Sequence, residues 1–325
     1  MPTDLDQHVR RYGSFSLAAS VDQPGMKVFG DGDGVIAFME VRSGSRTLRV
    51  CLGEPLAPEE AWERLVRRFL GASSGVVFLN VGEQLGKLLT REGMYLNPLG
   101  WEALLDLGGG YDLSGPKKQN IRNAVRRATS LGFSVTEVDE DDDAAWAQLH
   151  RVSQDWLVRR SAGRPENRLV TRPFMRRNSH QRVFALRHAD GRVVHLVTID
   201  AMWREEKVVG YHSNINRGLE DAPKNADYVI HAALVDRLRE EGVPVLSLGL
   251  CPDLGATPAG RKSNLYTTFA MDLVRRYGTG VYNLEGIERH KAEFRPSSRR
   301  PVFVAAQEPW PAADVLGIFR ASNLV

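Results

Sequence analysis

Hydrophobic and polar positions follow two rhythms along this chain, and their alternation predicts a mixed α/β protein. Residues 34–41 (GVIAFMEV) and 47–52 (TLRVCL) are β-rich runs separated by the turn-like SGS, which predicts a hairpin. In 57–71 (APEEAWERLVRRFLG), Ala61, Leu65, Phe69 and Leu70 recur at helical spacing, and Gly71 suits the helix end. GVVFLNV (75–81) reads as a buried strand, GEQLGKLLTREG (82–93) as a short helix and WEALLDL (101–107) as another strand. The first third is therefore ββαβαβ.

Residues 114–132 (SGPKKQNIRNAVRRATSLG) predict a helix with Ser114 as N-cap, an early Pro116 and Gly132 at the C-terminal end. Ile121, Val125 and Ala128 supply its apolar face. Lys118, Arg122 and Arg126 lie four apart on another, with Lys117 and Arg127 beside them and no acidic residue in the segment. A row of cations without opposing acid suits a phosphate backbone, although a solvated linker helix would have the same composition. From 133 the pattern restarts: strand FSVTEVDE, helix DAAWAQLHRVSQDWLVRR, a polar segment, strands RVFALRH, RVVHLVTIDAMW and KVVGYHS, a helix over 227–241, strand VPVLSLGL, a helix around SNLYTTFAMDLVRRYG and a last strand near RPVFVAA. That order is the one expected of the Gcn5-related N-acetyltransferase fold, and the first third is similar to a shorter version of it. The expected architecture is α/β, with tandem domains of this kind at 1–113 and 133–325, the second catalytic, joined by the basic helix 114–132.

A chain of 325 residues fits two domains. Its 43 basic and 40 acidic side chains leave +3, too little to indicate nucleic-acid binding by itself, so the clustering of cations matters more than their sum. Cys51 and Cys251 stand far apart without a CxxC pair or zinc-site spacing, which argues for a reducing compartment and no metal. The N-terminus lacks the apolar core of a signal peptide, and no run of 18 apolar residues occurs; the expected location is cytoplasmic.

Several chemistries lose support. Coenzyme-A-dependent members of the fold hold pyrophosphate on a Gly-rich turn at a helix N-terminus. Here that segment reads NINRGLEDAPKNADY, with a single Gly218 and a proline. GDGDG (30–34) is a turn, GGG (108–110) opens no helix, and GxSxG, HExxH, Walker A and EF-hand patterns are missing from the sequence.

Five stretches in order, GVIAFMEV with LGEPLAPEEAW, LSGPKKQNIRNAVRRATSLGF, YHSNINRGLEDAPKNADYVI, LSLGLCPDLG and VYNLEGIERHKAEFRP, resemble the C-terminal catalytic domain of bacterial phosphatidylglycerol lysyltransferases. That family moves an amino acid from aminoacyl-tRNA to a lipid hydroxyl. The K-x-x-N-I-R-x-A core of the basic helix is also similar to one in Fem-type peptidoglycan ligases, which use the same donor. The resemblance implies aminoacyl-tRNA as co-substrate and no further cofactor, with RNA rather than DNA as partner. The acceptor is either a lipid hydroxyl or a small amine, hydroxylamine or hydroxyl compound, the latter as in stand-alone relatives of natural-product pathways. A lipid acceptor would place the protein at the membrane periphery, where Val315, Ile318 and Phe319 of ADVLGIFRA could meet an apolar surface, although such a stretch also suits a core-docking helix. The remaining alternatives are a Coenzyme-A-dependent N-acyltransferase and a non-catalytic RNA-binding protein.

The family's Asp-Leu-Met-Arg motif aligns with Asn214-Ile215-Asn216-Arg217, so Arg217 matches and the carboxylate is replaced, with Asp221 and Asp227 as nearby substitutes. RHKAEFRP keeps Lys291, Phe294 and Pro296 of a basic family stretch but has Glu293 where a second lysine is common. Catalytic candidates are thus Arg217, Lys291, Asp227 and Asn214. Arg217 or Lys291 would stabilise charge on the carbonyl oxygen or orient the tRNA end, and Asp227 would act as base or bind the α-ammonium. Tyr211, His212 and Asp221 are the substrate-binding candidates. Lys117, Lys118, Arg122, Arg126 and Arg127 are those for tRNA, joined by Arg176, Arg177, Arg299 and Arg300.

Overall fold

The computed structural model describes residues 5–161, 165–169, 171–176, 178–252, 284–308 and 312–323. A first helix, α1 (Leu5–Tyr12), precedes strands β1 (Met26–Asp31), β2 (Gly34–Ser43) and β3 (Arg46–Leu52), helix α2 (Trp62–Gly71), β4 (Val76–Val81), α3 (Glu83–Arg91) and β5 (Tyr95–Asp106). The second part runs α4 (Gln119–Ser130), β6 (Phe133–Glu137), α5 (Asp143–Ser161), β7 (Gln181–His188), β8 (Val193–Arg204), β9 (Lys207–Gly218), α6 (Ala226–Glu240), β10 (Val245–Pro252), α7 (Leu284–Glu293), β11 (Ser298–Ala306) and α8 (Ala312–Ala321). The helix expected around SNLYTTFAMDLVRRYG and the cation Arg177 lie outside the described residues.

The eleven described strands share one sheet in the order β1-β2-β3-β4-β11-β5-β10-β9-β8-β7-β6. Each part of the chain contributes one parallel pair with a helix between its strands, β3-α2-β4 and β9-α6-β10, set in otherwise antiparallel neighbours. This is a mixed α/β fold, as the sequence predicts. The last strand, β11, returns to pair with both β4 and β5, so strands far apart in sequence share one ladder.

The helices form where the apolar spacing predicts them. On α2, Trp62, Leu65, Val66 and Phe69 are buried on one face, and Phe69 packs against Phe38 and Phe78 of the sheet. Helix α6 buries most of its residues up to Val235 because it is covered both by the sheet and by α4. Val229, Ile230, Leu234, Val235 and Leu238 are buried in a cluster shared with the sheet and with Ile121, Ala124 and Ala128 of α4. Each such side chain contributes about 1.5–3 kcal/mol.

Two expectations change. The basic segment begins with a short 3-10 turn, Pro116–Lys118, and the α-helix starts only at Gln119. Ser114 does not cap it: its amide and hydroxyl both donate to Asp112 Oδ1, at 2.9 and 2.6 Å, in a local turn. Helix α8 docks on the sheet beside β2. Its Val315 and Ile318 are buried, and its buried Asp314 accepts from Ser43 at 2.5 Å and from Arg46 at 2.8 Å. Val315 and Ile318 are thereby placed as the core-docking reading of ADVLGIFRA expects, with Phe319 partly buried beside them. No described helix is long and apolar enough to cross a membrane.

Candidate active site

The parallel strands β9 and β10 pair at only two positions, Tyr211 with Leu246 and His212 with Ser247. Beyond them β9 continues along β8 to Gly218 and β10 continues along β5 to Pro252, so a gap opens between the two. The sequence builds that divergence with Gly249. A bulge falls between Ser247 and Gly249, and Gly249 adopts φ +83°. A Cβ at this position would lie 2.9 Å from His212 Cε1 and 3.3 Å from Lys291 Nζ. Glycine is required here for the backbone and for the close approach of two functional side chains.

Lys291, on α7, donates from Nζ to the Leu250 carbonyl at 2.7 Å. Burial pushes its ammonium down to about 8, against the opposing pull of Cys251 and Glu102. His212 is buried beside it, and burial holds the imidazole down at about 4, with Glu102 pulling upward and Lys291 and Arg300 pushing downward. At neutral pH the pair is thus a cation next to a neutral ring. His212 Nδ1 is 3.3 Å from the Ser247 hydroxyl, which donates to Glu102 Oε1 at 2.5 Å and accepts from the Gly249 amide at 3.0 Å. The Glu102 carboxylate is completed by Arg300, through Nε at 2.9 Å, and by the Ser16 hydroxyl.

This polar row crosses β9, β10, β5 and β11 through the middle of the sheet. Glu102, Ser247 and Arg300 were not singled out from sequence as one group. The available signals were an acid inside the apolar run WEALLDL and a glycine inside LSLGL.

A second polar group lies where α6 meets α7. His290 Nδ1 is 2.8 Å from Asp227 Oδ2. His231 Nδ1 faces the Asp227 carbonyl oxygen at 2.8 Å, so that nitrogen carries the proton and Nε2 accepts from the Ser213 hydroxyl at 2.9 Å. His195 Nε2 lies 2.5 Å from Asn216 Oδ1. Burial acts to raise the Asp227 carboxyl, but His290, His231 and His195 outweigh it and hold it at about 2.

The remaining candidates are dispersed. Arg217 donates to Ser153 Oγ at 2.5 Å, pairs with Glu166 and lies over the Trp156 ring at 5.2 Å, and shares none of these partners with Lys291 among the described residues. Asn214 donates to Asp200 Oδ2 at 2.7 Å, and Asp200 pairs with the fully buried Arg172. Asp221 pairs with Arg192 at 2.6 Å on the surface, and Tyr211 sits in the large core with Arg182 over its ring. These four side chains are committed to packing or ion pairs, and the structure does not bring them to the gap as the sequence suggested; only His212 and Lys291 meet there.

Among the cations, Lys118 lies 3.8 Å over the Tyr111 ring and donates to the Asp112 carbonyl, and Arg122 donates to the carbonyls of Leu113 and Gly115, both at 2.7 Å. These two hold the turn before α4 and are withdrawn from the proposed RNA face. Lys117, Arg126 and Arg127 are exposed and form no ion pair with a described residue. Arg176 pairs with Asp143, Arg300 with Glu102, and Arg299 stacks over Trp101 at 4.2 Å. Among the described residues no cluster of His, Cys, Asp and Glu is placed to hold a metal ion.

A half-buried cation beside a gap between diverging strands suits stabilisation of negative charge on a carbonyl oxygen brought into that gap. Comparison with known structures agrees with the fold. The chain superposes on the C-terminal domain assigned to a lysylphosphatidylglycerol synthetase of Agrobacterium fabrum with TM-score 0.80 and 22% identity, covering 99% of this chain and 96% of that one. L-PGS from Bacillus licheniformis gives TM-score 0.80 and 20% identity over 99% and 96% of the two chains. FemX gives 0.53 and 9% over 99% of both. No curated protein sequence matches the chain. The model of the family described as phosphatidylglycerol lysyltransferase, C-terminal, matches residues 6–306, and the chain therefore belongs to that family of transferases.

Proposed function

We propose that the protein transfers an aminoacyl group from aminoacyl-tRNA to a hydroxyl or amine acceptor in the gap between β9 and β10. The observation that carries this reading is the half-buried Lys291 cation at the mouth of the divergence beside Gly249, within the family of phosphatidylglycerol lysyltransferase. The aminoacyl ester is already activated, so the site needs to align a nucleophile and stabilise an oxyanion. The acceptor oxygen or nitrogen attacks the carbonyl carbon, the ester bond to the ribose breaks, and the nucleophile's proton ends on the ribose oxygen. Lys291 stabilises the carbonyl oxygen as charge develops on it. Lys117, Arg126 and Arg127 hold the phosphate backbone without reading sequence. Membership of the phosphatidylglycerol lysyltransferase family, which the sequence resemblance links to aminoacyl-tRNA, supports this donor.

Coenzyme-A-dependent transfer is disfavoured by charge. Asp227 stands in the first turn of α6, where a pyrophosphate would meet the helix N-terminus, and its carboxylate is held ionised. The acceptor is either a lipid hydroxyl, which would bring the protein to a membrane surface, or a small soluble amine, hydroxylamine or alcohol.

The test is to incubate the purified protein with each radiolabelled aminoacyl-tRNA, and separately with acetyl-CoA, adding lipid or metabolite extract. Label passing from one aminoacyl-tRNA to an organic- or water-soluble product, abolished by RNase, supports the reading and identifies the acceptor class. Acceptor-dependent release of Coenzyme A without use of any aminoacyl-tRNA overturns it. RNA binding without turnover would leave a non-catalytic binder.

A further inference from the structure

We propose that Asp227 and His290 form a clamp between α6 and α7 whose task is to position Lys291; this rests on the assignment of Lys291 to the transfer site. Lys291 belongs to α7, a helix of ten residues that packs beside β10. The face adjacent to Lys291 carries His290 and Phe294, one helical turn apart. His290 stacks on Tyr228 of α6, ring centroids 5.1 Å apart and 24° between planes, and meets His231 edge-on at 5.4 Å. Phe294 is fully buried against Tyr228 and His231, and its carbonyl accepts from Tyr111. His290 Nδ1 then closes the contact on Asp227 Oδ2 at 2.8 Å. With that face fixed, the next residue is turned by about 100° into the gap, where Nζ bonds the Leu250 carbonyl and lies across Gly249 from His212.

The Asp227 carboxylate is poorly placed to take a proton itself. Its Oδ1 accepts from the Tyr228 amide at 3.0 Å, its Oδ2 is engaged by His290, and its ionised form is strongly favoured. A carboxylate of little basicity with His290 Nδ1 2.8 Å from one oxygen serves as an anchor. The groups that face it are His290 from α7, His231 from α6 and His195 from β8. Those that face Lys291 are His212, Cys251 and Glu102 from β9, β10 and β5.

The experiment compares Asp227→Asn and His290→Gln, with Asp227→Glu as the conservative variant. The readouts are hydrogen exchange over residues 284–297, thermal denaturation, and kcat and KM for aminoacyl-tRNA. The clamp predicts faster exchange confined to α7 and a kcat lowered by roughly tenfold to a hundredfold, since misplacement of about 1 Å has that order of effect. KM should stay within about twofold of wild type, and Asp227→Glu should recover most of kcat.

Unchanged exchange in both variants overturns the clamp, as does faster α7 exchange with unchanged kcat. A fall in kcat without a change in α7 exchange would mean that Asp227 meets substrate directly. Loss of the whole fold in both variants would make the pair a core element and not a local clamp. If the wild-type protein transfers no aminoacyl group, the functional reading fails, and exchange in α7 still decides whether the clamp exists.

Discussion

Lys291 Nζ and the Leu250 carbonyl are joined by a 2.7 Å hydrogen bond at the place where β9 and β10 separate. An ammonium tied to one carbonyl keeps donors for a second oxygen, so the contact orients Lys291 without using it up. Replacing Lys291 with Ala is expected to lower transfer by at least about tenfold, roughly 1.4 kcal/mol of transition-state stabilisation. Because burial lowers the ammonium to about 8, the cationic form is lost above that pH, and transfer should fall there. Lys291→Arg, which does not titrate in this range, should flatten that alkaline limb even if its absolute rate is lower. An alkaline limb of the same position and depth in Lys291→Arg would remove Lys291 from the chemistry.

The same burial has a cost in stability. A lowering from 10.5 to about 8 corresponds to about 3 kcal/mol against the charged form. The unfolded chain binds the proton more tightly than the native one between these values, so stability should rise as pH increases from about 8 to 10.5. Lys291→Met should therefore be more stable than wild type at pH 7 while inactive. Urea titrations at pH 7 and 10 check both signs.

Gly249→Ala is expected to damage the site more than the fold. The positive φ costs at least about 1–2 kcal/mol for a residue with a Cβ. The methyl group would also press on His212 Cε1, which must move. Melting temperature and kcat should both fall, with kcat lost by more than the change in folded fraction explains.

Arg217→Ala should act on stability. Its guanidinium is buried against Glu166 and Ser153, so truncation strands a partly buried carboxylate and costs about 2–3 kcal/mol, near the lower end for a broken buried pair. The folded fraction should retain kcat within about threefold of wild type. A loss of kcat above tenfold in fully folded Arg217→Ala protein would return this residue to the reaction centre.

The exposed cations predict a salt dependence. If Lys117, Arg126 and Arg127 each neutralise a phosphate, log affinity for tRNA falls with log salt, and the triple alanine variant should reduce that slope by about 2–3. Alanine at Lys118 or Arg122 should instead loosen the turn before α4, with little change in slope. Filter binding at several salt concentrations separates the two groups.

The parts legible in the sequence are those where local pattern and burial agree. Residues 245–252, helix α6 and the hairpin β2-β3 are recognisable because their apolar runs are buried, the first two in one cluster and β2-β3 on both faces of the sheet. Strand β1 escapes notice because Met26–Asp31 is mostly exposed and carries no alternation. The outer half of β9 is misleading for the opposite reason: Asn214, Asn216 and Arg217 look like loop residues, yet each feeds a polar partner from another element. Lys291 could be picked out by resemblance, but the row from His212 to Arg300 could not, since Glu102 and Arg300 are 198 residues apart in sequence. Such pairings depend on which strands become neighbours, and that is a property of the whole sheet.

The place of β11 between β4 and β5 bears on how the molecule is made. During synthesis the first hundred residues emerge with a vacancy in their ladder, and the strand that fills it leaves the ribosome some two hundred residues later. Until then β4 and β5 expose strand edges that invite pairing with other chains. Glu102 also waits for Arg300, so the nascent protein carries an uncompensated acid at its future centre until that distant strand has been made. Chaperone demand and the yield of folded protein should therefore depend strongly on segment 298–306, although it contributes only one of the eleven described strands.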